Sequence, residues 1–250
     1  VVGVVATAVQ HILYDASDDS FGDSAEGLSQ LRSDLRSLPS TLRPLLIGDT
    51  LVRFANGMVY VFFIIVVTEF LDVGLSLSLP GVGGVDLAPA TFFGLLLGVE
   101  MIVALLVMAP AAALAERVGL KPVVATGFAV YAIFPVLLIS APPDAVVLTA
   151  LFAFSGLRFA GLPAHKALIV GPAKSDAGGR VTGAYYLLRN LIVIPSGALG
   201  GALYGGLPNP FGAGQLIAGA PTLAFAAATV IGLVGTGYFL VAGEEFTAYQ

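Results

Sequence analysis

The stretch MAPAAALAERVGLKPVVATGF, Met108 to Phe128, sets three ionised side chains, Glu116, Arg117 and Lys121, into a six-residue gap between two uncharged runs. Met101 to Ala115 carry no charge before it, and Pro122 to Pro143 carry none after it. Each flank is apolar over a length suited to crossing the roughly 30 Å of bilayer hydrocarbon as a helix rising about 1.5 Å per residue. The polar gap then reads as a tight turn between two spanning helices.

Composition extends this reading to the whole chain. Of 250 residues, 57% are hydrophobic and only 11% are charged, and the mean hydropathy is +0.95. A soluble domain carries about a quarter of its residues as charged groups, so this chain cannot coat a water-exposed surface of its size. An integral membrane protein in contact with the lipid bilayer is the expected class. The chain has no cysteine, which excludes disulfides and thiolate metal sites. It has two histidines, His11 and His165, without an H-E-x-x-H element, so neither a metal nor a cofactor is expected.

Working outward from the turn, six apolar segments are expected to span: Leu46–Phe70, Thr91–Ala115, Pro122–Ser140, Ala145–Val170, Val181–Tyr204 and Leu216–Ala242. They lack the strict alternation of barrel strands, and helices satisfy their own backbone in hydrocarbon. The fold class is therefore an all-α polytopic bundle of six transmembrane helices. Lys and Arg set its orientation. Arg32, Arg36 and Arg43 precede the first span, Arg117 and Lys121 follow the second, and Lys174 and Arg180 follow the fourth. The connections around Asp72–Ala90, Ala141–Asp144 and Gly205–Gln215 contain no Lys or Arg. The positive-inside rule then puts both ends of the six-helix unit in the cytoplasm, in a multi-pass arrangement in the cell membrane.

Four regions follow: 1–14 as the end of a preceding transmembrane helix, 15–44 as a cytoplasmic linker, 45–242 as the bundle, and 243–250 as a cytoplasmic tail. Val1–Val9 has neither the basic flank nor the cleavage site of a signal peptide, and the chain is expected to begin partway through a larger protein. In the linker, DASDDSFGDSAEG is acidic and expected to be disordered. Beyond it, Leu28, Leu31, Leu35 and Leu38 recur at helical spacing, an amphipathic surface helix.

LAERVGLK, Leu114 to Lys121, resembles the cytoplasmic signature of the major facilitator superfamily of transporters, which runs approximately G-x-L-A-D-R-x-G-R-K. Leu114, Ala115, Arg117, Gly119 and Lys121 match; Glu116 replaces Asp, Ala112 the first Gly, and Leu120 an Arg. In that family the signature joins the second and third helices of each half, the position it holds here. GRVTGAYYLLRNLIVIPSGALGGALYG, Gly179 to Gly205, resembles the loop and fifth helix of such a half, and GLPAHKALI, Gly161 to Ile169, the end of a fourth. The resemblance covers nearly the whole chain and implies the end of helix six, the central loop and helices seven to twelve. It implies a secondary transporter working by alternating access, with a missing N-terminal half as partner. It also implies that Glu116 and Arg117 pair with neighbouring helix ends as a cytoplasmic gate. A solvated turn with topogenic cations is the plainer alternative.

Charges within spans are the sharpest functional signal. Glu100, Arg158 and Arg189 lie well inside the second, fourth and fifth spans. Each charge at a helix centre costs about 2.5–3.5 kcal/mol on insertion scales, so three unpaired toward lipid would cost on the order of 8–10 kcal/mol. They are expected to face one another or a wet cavity. The resemblance places these spans around a central cavity, where Glu100 binds a coupling proton or pairs with an arginine and Arg158 and Arg189 meet a small-molecule solute. A permanent ion pair fixing helix register is the alternative. Asn190, Asn56 and Tyr60 are further candidate lining groups, and Asp49 and Arg53 form an i,i+4 pair or gate. His165 is read as structural.

Small residues at Gly197, Gly201 and Gly205, and at Gly94 and Gly98, suggest faces for close helix approach, and Pro195 should kink the fifth span. A non-transporting membrane subunit or sensor of the same fold is a competing reading. An intramembrane aspartyl protease is another, hinging on Tyr14-Asp15 and Gly48-Asp49, but Leu46 stands where its Gly-x-Gly-Asp element needs glycine. No catalytic residue is assigned, an enzyme is not expected, and the dispersed cations do not form a nucleic-acid patch.

Overall fold

Proline and aspartate at the ends of the apolar runs mark where several of the helices start. The computed structural model describes residues 38–79, 83–172, 178–210, 212 and 214–245. The stub over 1–14, the amphipathic segment ahead of Leu38 and the end of the tail lie outside the described residues. Helix α1, Arg43–Val59, follows a 3-10 turn, Ser40–Leu42. It continues through a second 3-10 turn at Tyr60–Phe62 and a helical turn at Phe63–Ile65 into a π-helical end, Val66–Phe70. A hairpin of β1, Leu75–Leu79, and β2, Gly83–Leu87, pairs antiparallel with Leu75 opposite Leu87. Then come α2, Pro89–Val118, and α3, Leu120–Ile139. The fourth span is two helices, α4, Ala145–Gly156, and α5, Leu162–Val170, separated by a 3-10 turn at Leu157–Phe159. The fifth is α6, Gly178–Val193, and α7, Ser196–Gly205. Two short strands, β3, Leu207–Pro208, and β4, Gln215–Ile217, precede α8, Pro221–Ala242.

Proline occupies the first turn of α1, α2, α5 and α8, where its missing N–H would have had no helical partner. Asp144 caps α4, its carboxylate accepting from the Val147 amide at 2.8 Å. Some hydroxyls within the apolar runs return to their own helix, Thr126 to the Pro122 carbonyl and Thr236 to that of Gly232. Six helical stretches among the described residues are long and apolar enough to cross a membrane: Ser40–Phe70, Pro89–Val118, Leu120–Ile139, Ala145–Val170, Gly178–Gly205 and Pro221–Ala242. The expected all-α bundle with six helices of spanning length is thus present, with bounds close to those expected.

Helix α8 packs along α1 and α3, and α2 packs on α4. One apolar cluster, around Phe63, Phe134, Phe152 and Phe225, fills one end of the bundle, and a second, around Leu42, Phe128, Leu168 and Phe239, fills the other. Outward faces stay apolar: Leu105, Leu106, Val146 and Val241 are 71%, 69%, 76% and 88% exposed. Water would penalise such a surface, whereas hydrocarbon would not.

Two expectations need correction. The sixth span does not begin at Leu216: Gln215–Ile217 pairs with Leu207–Pro208, and the helix starts only at Pro221. The expected glycine faces also differ. A side chain at Gly201, Gly205, Gly94 or Gly98 would meet nothing within 4 Å, and one at Gly197 only the Gly57 carbonyl at its limit. The close approach falls instead at Gly200, where a Cβ would collide with the Met58 backbone, its Cα only 2.7 Å away. Gly200→Ala is expected to push α7 off α1 and to destabilise by about 1–3 kcal/mol in a detergent unfolding titration. Pro195 does interrupt the fifth span, between α6 and α7.

Candidate functional site

Five ionised side chains inside the spans, Asp49, Arg53, Glu100, Arg158 and Arg189, join one connected network. Asp49, on α1, is its hub and has no exposed surface. Its Oδ1 accepts from Arg53 Nε at 3.3 Å. Its Oδ2 accepts from Arg189 Nη1 at 3.0 Å and from the Tyr185 hydroxyl at 3.1 Å, both on α6. His165 Nε2, on α5, lies 3.2 Å from the same oxygen. A protonated Nε2 there donates to the carboxylate, which selects that tautomer over the other. A carboxylate so surrounded tolerates burial because its lone pairs are filled and its charge is more than offset by two guanidinium groups.

A second pair lies deeper along the fourth span. Arg158 Nη2 donates to Glu100 Oε1 at 2.6 Å, with side chains 4% and 2% exposed. Ser155 Oγ donates to the same oxygen at 2.6 Å. Arg158 sits on the 3-10 turn that separates α4 from α5, and irregular backbone at that depth is tolerated only where protein or a cavity surrounds it. Its guanidinium carbon lies 4.9 Å from the ring centroids of both Tyr131 and Phe159 and 5.9 Å from that of Tyr60. Aromatic faces of this kind attract a cation.

Tyr131, on α3, joins the two clusters. Its hydroxyl accepts from Arg53 Nη1 at 2.8 Å, and its ring lies 4.6 Å from the Arg53 guanidinium carbon. Arg158 uses the same ring. The connected groups therefore come from five of the six spans, α8 excepted. A cavity of about 10 Å3, room for one water-sized occupant, lies among Arg53, Tyr131, Arg158 and His165.

The expected site residues fall as follows. Glu100 and Arg158 meet as an ion pair. Arg189 does not join them; it pairs with Asp49 and also donates to Asn190 Oδ1 from Nε at 3.1 Å and Nη2 at 2.9 Å. Asn190 is exposed, Asn56 is half-buried, and Tyr60 is 50% exposed. Asp49 and Arg53 form the expected i,i+4 contact, at 3.3 Å. His165 has a place at the hub that its reading as structural did not foresee. Tyr131, Tyr185 and Ser155 were not singled out. A hydroxyl deep inside an apolar run, which needs a partner, was the available signal.

The LAERVGLK turn has its own geometry. Leu114 is 50% exposed and Ala115 5% exposed. Gly119 turns the chain with φ 97°, a conformation that favours glycine, and a Cβ there would lie 2.6 Å from the Glu245 carboxylate. Glu116 and Arg117 are exposed and make no ion pair or hydrogen bond among the described residues. The contacts at this turn come from another carboxylate. Glu245, beyond α8, accepts from the Leu120 amide at 2.7 Å and the Lys121 amide at 3.0 Å, while Lys121 Nζ donates to the Gly243 carbonyl at 2.7 Å. An anionic cap on the first amides of α3 satisfies donors that have no helical partner and complements the helix dipole. Glu245→Ala is expected to weaken this cap by about 1 kcal/mol, read as roughly fivefold faster hydrogen exchange at Leu120 and Lys121.

Compared with known proteins, the chain matches no family model and no curated protein.

Proposed function

We propose that the chain forms one six-helix half of a secondary active transporter that moves a small solute across the cytoplasmic membrane by alternating access. The observation that carries this reading is the charged network running through five apolar spans. A static scaffold gains little from buried ion pairs, since well-packed apolar residues of similar size serve as well or better. Ionised groups at bilayer depth instead mark solute and ion pathways. The LAERVGLK turn, with its resemblance to the transporter signature, points the same way. In this reading Arg158 and Arg189 meet the solute, Glu100 exchanges a coupling proton, and Asn56, Tyr60 and Asn190 line the open side. A second six-helix half supplies the opposite wall, and the turn at Arg117 and Lys121 faces the cytoplasm.

The absence of cysteine makes the test direct. Single cysteines at Asn56 and Asn190 would be labelled with an impermeant maleimide in right-side-out and inside-out native vesicles. Alternating access predicts labelling of each position from both sides. Strict one-sided labelling at both positions would reject the transporter reading in favour of a static membrane subunit or sensor.

A further inference from the structure

The network holds three guanidinium groups, Arg53, Arg158 and Arg189, against two carboxylates, Asp49 and Glu100. One positive charge is therefore left over inside the bundle. That surplus lies around Asp49, which faces both Arg53 and Arg189, whereas the unspent hydrogen-bonding capacity lies at Arg158. Arg158 is 5% exposed, and its Nε and Nη1 have no hydrogen-bond partner. A buried charged donor left unsatisfied is strongly unfavourable. Arg158 lines the cavity of about 10 Å3, together with Arg53 and His165, and no carboxylate lines it. A space of one water-sized sphere, walled by two permanent cations and an imidazole, suits an anion and repels a cation.

We propose that this cavity is an anion subsite that seats one small monovalent anionic group against Arg158, with Arg53 and His165 completing its wall. The shared chemistry is a compact negative charge accepting from a guanidinium. A free halide supplies it, and so does the carboxylate end of a solute. Among the uncharged walls, Val124 and Leu162 carry aliphatic side chains that help set the size limit. As the docking point of a transported solute the subsite rests on the transport reading. As an equilibrium binding site it does not, so the two can fail separately.

The full chain, purified in detergent, is melted under circular dichroism while sodium bromide or sodium acetate replaces sodium gluconate at constant ionic strength. Binding to the folded state alone is expected to raise the melting temperature saturably, by roughly 2–4 °C at about five times the dissociation constant. Saturation by bromide assigns a free halide site, and saturation by acetate alone assigns a carboxylate site; either supports the subsite. Val124→Ile adds a methylene to the cavity wall without touching a charge and should abolish the saturable shift. Leu162→Phe fills the space from the other side and serves the same purpose should the first variant fold poorly. A shift that grows linearly with every salt, no shift at all, or a saturable shift preserved in both filled variants would overturn the proposal.

Discussion

Asp49→Asn is expected to destabilise the protein by about 3–5 kcal/mol, because it removes the counter-charge of two arginines at once. The amide keeps the volume of the carboxylate, so the loss isolates charge from packing. In the wild type one buried carboxylate accepts from Arg53, Arg189 and Tyr185 and lies beside His165. After substitution, the guanidinium groups lose their anion, and the amide nitrogen presents a further donor to a cluster of donors. Arg53 and Arg189 retain 24% and 15% exposure at their side chains, so hydration recovers part of the loss and the lower end of the range is the better guide. Unfolding in a graded detergent titration reads the difference directly. Asp49→Glu, which keeps the charge at a longer reach, should lose clearly less. Were asparagine to cost under about 1 kcal/mol, the arginines would have to be satisfied by groups other than Asp49.

Glu100 and Arg158 should show the second large effect, and the strongest coupling. Each single change to glutamine strands the other partner as an uncompensated buried charge, at about 3–5 kcal/mol. The double variant strands neither. Its loss should fall short of the sum of the singles by roughly 2–3 kcal/mol, the signature of residues in direct contact. Ser155, which also donates to Glu100 Oε1, softens the Arg158→Gln variant slightly by keeping one donor on the carboxylate. Additive single losses would show that the pair seen at 2.6 Å carries no energy of its own.

How much of this was legible in the chain depends on the range of the interaction. The spans could be read because hydrocarbon imposes a length on every helix locally, and five of the six appear nearly where the apolar runs placed them. The sixth run was misjudged at its start because Leu216 and Ile217 are apolar in a strand as they would be in a helix. The hairpin that begins at Leu75–Leu79 was not expected, although LSLSL alternates as a strand does. Among the charges, Asp49 and Arg53 could be paired from a separation of one helical turn. That Glu100 needed an arginine followed from the cost of burying it, but nothing local chose Arg158 over Arg189. The choice is made by packing: α2 lies on α4, whereas α6 lies on α1. Arg189 meets Asp49 across 140 residues of sequence, a separation that no periodicity encodes. The tail cap escaped notice for the same reason, since Glu245 stands 125 residues from the amide of Leu120 that it holds.

Tyr131 gives the bundle an unusual economy. One phenol ring receives a cation from the first span and another from the fourth, and its oxygen is tied to the first alone. Rotating the third span by even a few degrees would therefore disturb both arginines together, tightening or loosening two electrostatic clusters in step. A shift of Arg158 is therefore expected to reach Asp49 by way of Tyr131 and Arg53, so that neither charged centre rearranges in private.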